Sequence, residues 1–138
     1  MYYPFIQNNI GPAGYHKNYR HRDQYLKHSK FLPYINNEVQ HERSEEYKNR
    51  FSNLNNFLMV KFMYDPIIYP MESSWFGEIN ERGNIVPMED SIVYKDDLIG
   101  LKKLHKESRL ERELIDGVHL MFNNDHIKDI FVTKGLLK

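Results

Sequence analysis

Asp65 and His119 are the side chains whose types and placement suit proton transfer. Asp65 closes the run Phe57-Leu58-Met59-Val60-Lys61-Phe62-Met63-Tyr64, which reads as a short buried strand, and Pro66 follows at once. His119 sits in the turn Gly117-Val118-His119-Leu120, behind a second predicted strand at 109–115. A carboxylate that holds one imidazole nitrogen as an N–H donor leaves the other free as a base, and such a base activates a serine hydroxyl. Acid before base, each just past a strand, is the chain order in which the α/β-hydrolase triad supplies its last two members. The nucleophile elbow Gly-x-Ser-x-Gly occurs nowhere among the 138 residues. Ser73 and Ser74 lie outside any such elbow. Taken singly, Asp-Pro at a strand end and a histidine in a turn are ordinary structural features.

The elements that must position this pair follow from periodicity. Residues 1–14, with Pro4, Gly11, Pro12 and Gly14, read as loop. Residues 15–30 are basic and aromatic, and Asp23 is their one acid. Ser44 reads as an N-cap with Glu45 and Glu46 in the first turn. Tyr47, Phe51, Leu54 and Leu58 recur on one helical face, which predicts a helix over 44–55. A strand over 57–63 comes next, then an extended connection with short strands over 66–90. Ser91-Ile92-Val93-Tyr94 suggests a short strand. Asp96-Asp97 reads as the cap of a brief helix carrying Leu98, Leu101 and Leu104. The strand at 109–115 carries Glu111-Arg112-Glu113, an unusual charge load for a buried strand. Asp125 then caps a tail with Ile127, Ile130, Phe131 and Lys134 at helical spacing. Helices and strands in this order are the ingredients of an α/β sandwich.

Composition narrows the function classes. The 19 basic and 19 acidic residues cancel, so the net field neither steers the chain to nucleic acid nor presses it against an anionic membrane. With no cysteine there is no disulfide, thiolate metal site or cysteine nucleophile in this segment. The histidines at 16, 21, 28 and 41 have no compact metal-ligand spacing, so no metal is expected. No apolar run reaches the roughly 20 residues that span a bilayer, and Met1-Tyr2-Tyr3-Pro4 lacks the regions of a signal peptide.

Residues 57–77 (FLMVKFMYDPIIYPMESSWFG), with Pro87-Met88-Glu89, Tyr94, Asp97, Gly100-Leu101-Lys102 and Gly117-Val118-His119-Leu120, resemble palmitoyl-protein thioesterases. Upstream, Phe31-Leu32-Pro33-Tyr34-Ile35-Asn36-Asn37-Glu38 is similar to the family's approach to the same helix. The likeness covers about residues 14–138. It implies the C-terminal part of an α/β-hydrolase fold, holding the last sheet strands and helices, with the nucleophile half absent. Residues 1–13 would be loop, 14–50 the end of an inserted cap region plus the start of a helix, and 51–138 the C-terminal half of the core. The implied activity is removal of long-chain acyl groups from S-palmitoylated proteins without metal or organic cofactor, in the lysosome or after secretion. Asp65 and His119 would be the triad acid and base, completed by the missing N-terminal half. Ile67, Ile68, Met71, Trp75 and Phe76 are candidates for one wall of an acyl groove, although Trp75 reads first as a packing anchor. The alternative is a non-catalytic interaction or lipid-binding remnant of the same fold.

Overall fold

The computed structural model describes residues 2–133, and two parallel strands organise it. β1 (Phe57–Phe62) pairs with β4 (Leu110–Ile115) in the register Phe57↔Leu110 to Phe62↔Ile115. The side-chain period of two lets β1 serve two cores. Met59 packs with Met88, Val93, Ile99 and Leu101, and Phe57 lies against this group. Phe62 packs instead with Ile115 and Ile130, with Leu58 and Val60 beside them. Burial on both faces is the expected setting for parallel strands.

The connection between β1 and β4 holds a 3-10 turn at Met71–Trp75, a small antiparallel pair, β2 (Glu78–Ile79) with β3 (Ile85–Val86), and two helices. These are α5 (Ile92–Lys95) and α6 (Leu101–Lys106). Before β1 come α1 (Pro4–Asn9), α2 (Arg22–His28), α3 (Leu32–Ile35) and α4 (Ser44–Ser52). After β4 come α7 (Asn124–Lys128) and a π-helical turn at Asp129–Thr133.

Four local expectations are corrected. Part of the stretch 1–14 is helical, because Pro4 sits where its fixed φ suits a helix start and the 3-10 turn Gly11–Tyr15 follows. Residues 91–94 form no strand: the Ser91 hydroxyl accepts from the Tyr94 amide at 3.3 Å, and this cap outweighs the β-branched Ile92 and Val93. The helix with Leu101 and Leu104 begins after Gly100, not at Asp97. Asp97 still serves it from outside, accepting from the Lys102 amide at 3.0 Å. In the tail Asn123, rather than Asp125, is the cap, and it builds a capping box with His126. Lys134 lies outside the described residues.

Two glycines of the quoted motifs are steric necessities. A Cβ on Gly77 would stand 2.7 Å from Glu72 Cβ and 2.8 Å from the Val86 carbonyl oxygen. Gly100 has φ +83, and a Cβ there would stand 2.4 Å from Ser52 Cβ. Two of the three charges of β4 have partners at its rim: Arg112 pairs with Glu89 at 2.7 Å, and Glu111 accepts from Asn56 at 2.9 Å.

The N-terminal segment is tied down through Glu38, whose side chain is fully buried. Its carboxylate receives Lys17 at 2.8 Å, Arg22 at 3.2 Å and the Tyr25 hydroxyl at 2.5 Å. Lys17 also reaches Glu78 at 2.7 Å, and Glu78 accepts from the Ile92 amide. Burial, followed by the Glu38 charge, pushes the Tyr25 phenol far above its ordinary range.

Candidate active site

Parallel pairing brings the C-terminal ends of β1 and β4 side by side, and the two chains continue together for two more hydrogen bonds. The Met63 amide donates to the Ile115 carbonyl at 2.9 Å, and the Tyr64 amide donates to Gly117 at 3.1 Å. Asp65 follows three residues past the end of β1, and His119 four past the end of β4. Loops at the carboxyl ends of parallel strands are where α/β folds place their ligands.

His119 Nδ1 lies 2.8 Å from Asp65 Oδ2. The other carboxylate oxygen, Oδ1, accepts the amides of Ile67 at 2.8 Å and Ile68 at 3.0 Å. The carboxylate is thereby fixed in direction from both sides. The Asp65 side chain is 3% exposed and that of His119 30% exposed. Burial acts to raise the Asp65 pKa. The His119 contact and the two amides favour the charged form and prevail, holding it below the ordinary aspartate range. An Nδ1–H donating to an ionised Asp65 leaves Nε2 as the lone-pair nitrogen. Among the described residues Nε2 has no hydrogen-bond partner.

The five apolar candidates divide. Ile67 and Ile68 stay beside Asp65, one exposed and one half-buried, and their backbone amides are what touch it. Met71, half-buried, opens the 3-10 turn. Trp75 and Phe76 pack against the Met59 core. The Trp75 indole donates to the Met59 carbonyl at 3.0 Å, and Phe76 meets Phe51 and Phe57 at ring distances of 6.5 and 6.2 Å. Both half-buried rings thereby help hold the Asp65 connection onto β1.

Two features escaped the sequence reading. Phe122 packs edge-on against Phe62, with ring centroids 5.0 Å apart, and this anchors the loop behind His119. An aromatic three residues after the histidine was the available signal. Tyr64, Leu120 and Met121 form an exposed apolar rim on the two loops that carry the pair. Among the described residues no three or more His, Cys, Asp or Glu gather as a metal site, and no helix is long and apolar enough to cross a membrane.

Comparison with known proteins fits this geometry. The family model described as Palmitoyl protein thioesterase matches residues 1–119. Palmitoyl-protein thioesterase 1 of Caenorhabditis elegans is 38% identical over 138 residues, covering 95% of this chain and 46% of that protein. The lysosomal thioesterase PPT2-B of Xenopus laevis is 33% identical, covering 92% of this chain and 45% of its own. A palmitoyl-protein thioesterase-dolichyl pyrophosphate phosphatase fusion of Schizosaccharomyces pombe is 36% identical over 87% of this chain, and only 19% of the fusion is matched. The chain spans about half the length of the first of these relatives.

Proposed function

The chain belongs to the palmitoyl protein thioesterase family, and we propose that it supplies the acid and base of a Ser-Asp-His triad that hydrolyses palmitoyl thioesters on S-acylated proteins. The 2.8 Å contact between His119 Nδ1 and Asp65 Oδ2 is the observation that carries this reading. The nucleophilic serine would come from polypeptide beyond these 138 residues, in the N-terminal half of the same enzyme and of an α/β-hydrolase core. Names such as lysosomal thioesterase among the relatives support a lysosomal setting.

In this reading the serine hydroxyl attacks the thioester carbonyl carbon while His119 Nε2 takes its proton. The tetrahedral intermediate collapses, the C–S bond breaks, and the cysteine sulfur leaves, protonated from His119. A thiol ionises near pH 8.5, far below an amine, so the departing sulfur needs little acid assistance. Water then attacks the acyl-enzyme with His119 again as base, releasing the fatty acid and restoring the serine. Asp65 keeps Nδ1 as the N–H tautomer throughout and stabilises the imidazolium that forms. Each buried methylene of the acyl chain adds about 0.8 kcal/mol, so an apolar groove suffices for long-chain preference.

The test has two parts. In the polypeptide that includes the serine, His119→Ala abolishes palmitoyl-thioester turnover, while retention of wild-type turnover overturns the assignment. In the 138-residue chain alone, a fluorophosphonate probe labels no serine, and a labelled Ser73 or Ser74 would place the nucleophile here instead.

A further inference from the structure

Among the described residues five that are not glycine hold a positive φ: Asn37, Phe76, Asp97, Ser108 and Leu120. Four of them close a helix. Phe76 is the C-cap of the turn Met71–Trp75, and Asn37, Asp97 and Ser108 each follow the C-cap of α3, α5 and α6. A left-handed residue is a common way for a helix to end. Leu120 ends no helix. It stands at φ +59 directly after His119, in the loop beyond β4. Leucine is a poor choice there, because its Cβ crowds the backbone and it has no short polar group to compensate. The surrounding contacts hold it in place. The Met121 amide donates to the Val118 carbonyl at 3.0 Å, so His119 and Leu120 are the central pair of a tight turn. Positive φ falls on the second of the pair and not on the first, the pattern of a type II turn, where glycine or asparagine is favoured. After the turn the Phe122 amide donates to the Leu120 carbonyl at 3.0 Å, and the Phe122 ring packs on Phe62. Before it the Gly117 carbonyl accepts from Tyr64. Phe62 and Tyr64 both belong to the run that leads into Asp65, so His119 is suspended between two attachments to its partner's own strand.

We propose that Leu120 is a positioning residue for the Asp65–His119 pair and acts through its backbone. Its left-handed conformation reverses the chain after His119, returns Phe122 to Phe62, and thereby aims His119 Nδ1 at Asp65 Oδ2. The proposal rests on the reading of that pair as acid and base. With a negative φ at 120 the turn opens, the Met121 amide leaves Val118, and the imidazole is tethered to β1 from one side only. A residue that works through its backbone is replaceable by any side chain that tolerates positive φ. A residue that works through its side chain is replaceable by one of like size and polarity. Glycine and isoleucine therefore separate the two cases, since each satisfies one requirement and fails the other.

The experiment compares Leu120→Gly, Leu120→Asn and Leu120→Ile in the polypeptide that carries the serine. A thermal melt of each gives the folded fraction, and palmitoyl-thioester kinetics give kcat and KM per folded molecule. Nitrogen-15 NMR of the imidazole reads which nitrogen of His119 bears the proton, without substrate. Glycine and asparagine adopt positive φ readily, so both variants should keep kcat within about threefold and hold the proton on Nδ1. Isoleucine, branched at Cβ, resists that conformation. Leu120→Ile should lower kcat about a hundredfold, the loss expected when a reacting group is misplaced by about 1 Å, with KM little changed. Its imidazole should show a mixture of tautomers. The reverse order, with Leu120→Ile active and Leu120→Gly impaired, assigns the role to the side chain and overturns the proposal. Equal kcat in all three overturns it, as does a proton that stays fixed on Nδ1 in Leu120→Ile. The acid–base reading fails separately: turnover that survives His119→Ala condemns it, while the NMR contrast among the Leu120 variants still judges the turn.

Discussion

The β1–β4 pair is held at both ends by polar side chains, and the two ends do opposite things. At the N-terminal end Arg109 donates to the carbonyls of Ser52 and Leu54 and to Glu107, while Asn56 spans from the Phe57 amide to Glu111. The guanidinium is turned inward onto backbone and a neighbouring acid, so the result is a clamp. At the C-terminal end Asp65 is equally well anchored, yet its partner His119 keeps one ring nitrogen without a partner among the described residues. Chemistry is available only where an anchored group ends in unused hydrogen-bonding capacity. The same strand pair thus separates a clamped end from the end that the proposed activity would use.

The largest expected effect tests the reactive end. In the polypeptide that carries the serine, Asp65→Asn retains Oδ1 as acceptor for the Ile67 and Ile68 amides, so the loop stays in place. The new amide N–H faces His119 Nδ1 and selects the tautomer whose Nε2 is protonated. Turnover should fall on the order of 10⁴-fold, as it does for this substitution in a well-studied serine protease triad. A fall under about tenfold would remove Asp65 from the orienting role and erase the contrast.

At the clamp end the expected losses are in stability, with kcat unchanged per folded molecule. Gly100→Ala places a methyl against Ser52 in a left-handed backbone, and should cost roughly 3 kcal/mol from strain and overpacking together. Arg109→Ala strips charged hydrogen bonds from two carbonyls and should cost about 2 kcal/mol. Denaturant melts measure both. If either variant changed the pH dependence of turnover, the two ends would be coupled and the division into clamp and site would fail.

How far this was legible from the residues follows the same division. Asp65 and His119 were found because strand, turn and residue type are local, and the parallel register then brings them to hydrogen-bond distance. That they meet is geometry, and that they act together on a thioester is the proposal. The carboxylate's two backbone donors were invisible, since amides carry no residue signature. Trp75 and Phe76 were ambiguous because an aromatic beside an acid suits a groove wall and a core equally, and their packing against the Met59 core is visible only in three dimensions. Ser91 misled because a single cap reversed the preference of the β-branched pair behind it.

The smallest effect concerns pH and separates the ends once more. The folded Asp65 carboxyl is depressed below its unfolded value, so its contribution to stability is present above the unfolded pKa, about 3.9, and is lost as pH falls through the folded value beneath that. The stability difference between wild type and Asp65→Asn should therefore shrink as pH falls below about 4. Arg109 keeps its charge across the whole range. The difference between wild type and Arg109→Ala should hold through the same window, apart from the titration of Glu107. Parallel acid titrations of the three proteins by circular dichroism measure this. A difference for Asp65→Asn that stayed constant to pH 2 would mean that its carboxylate is no more favoured in the fold than in the open chain, and that the amides of Ile67 and Ile68 and the imidazole of His119 merely accommodate it.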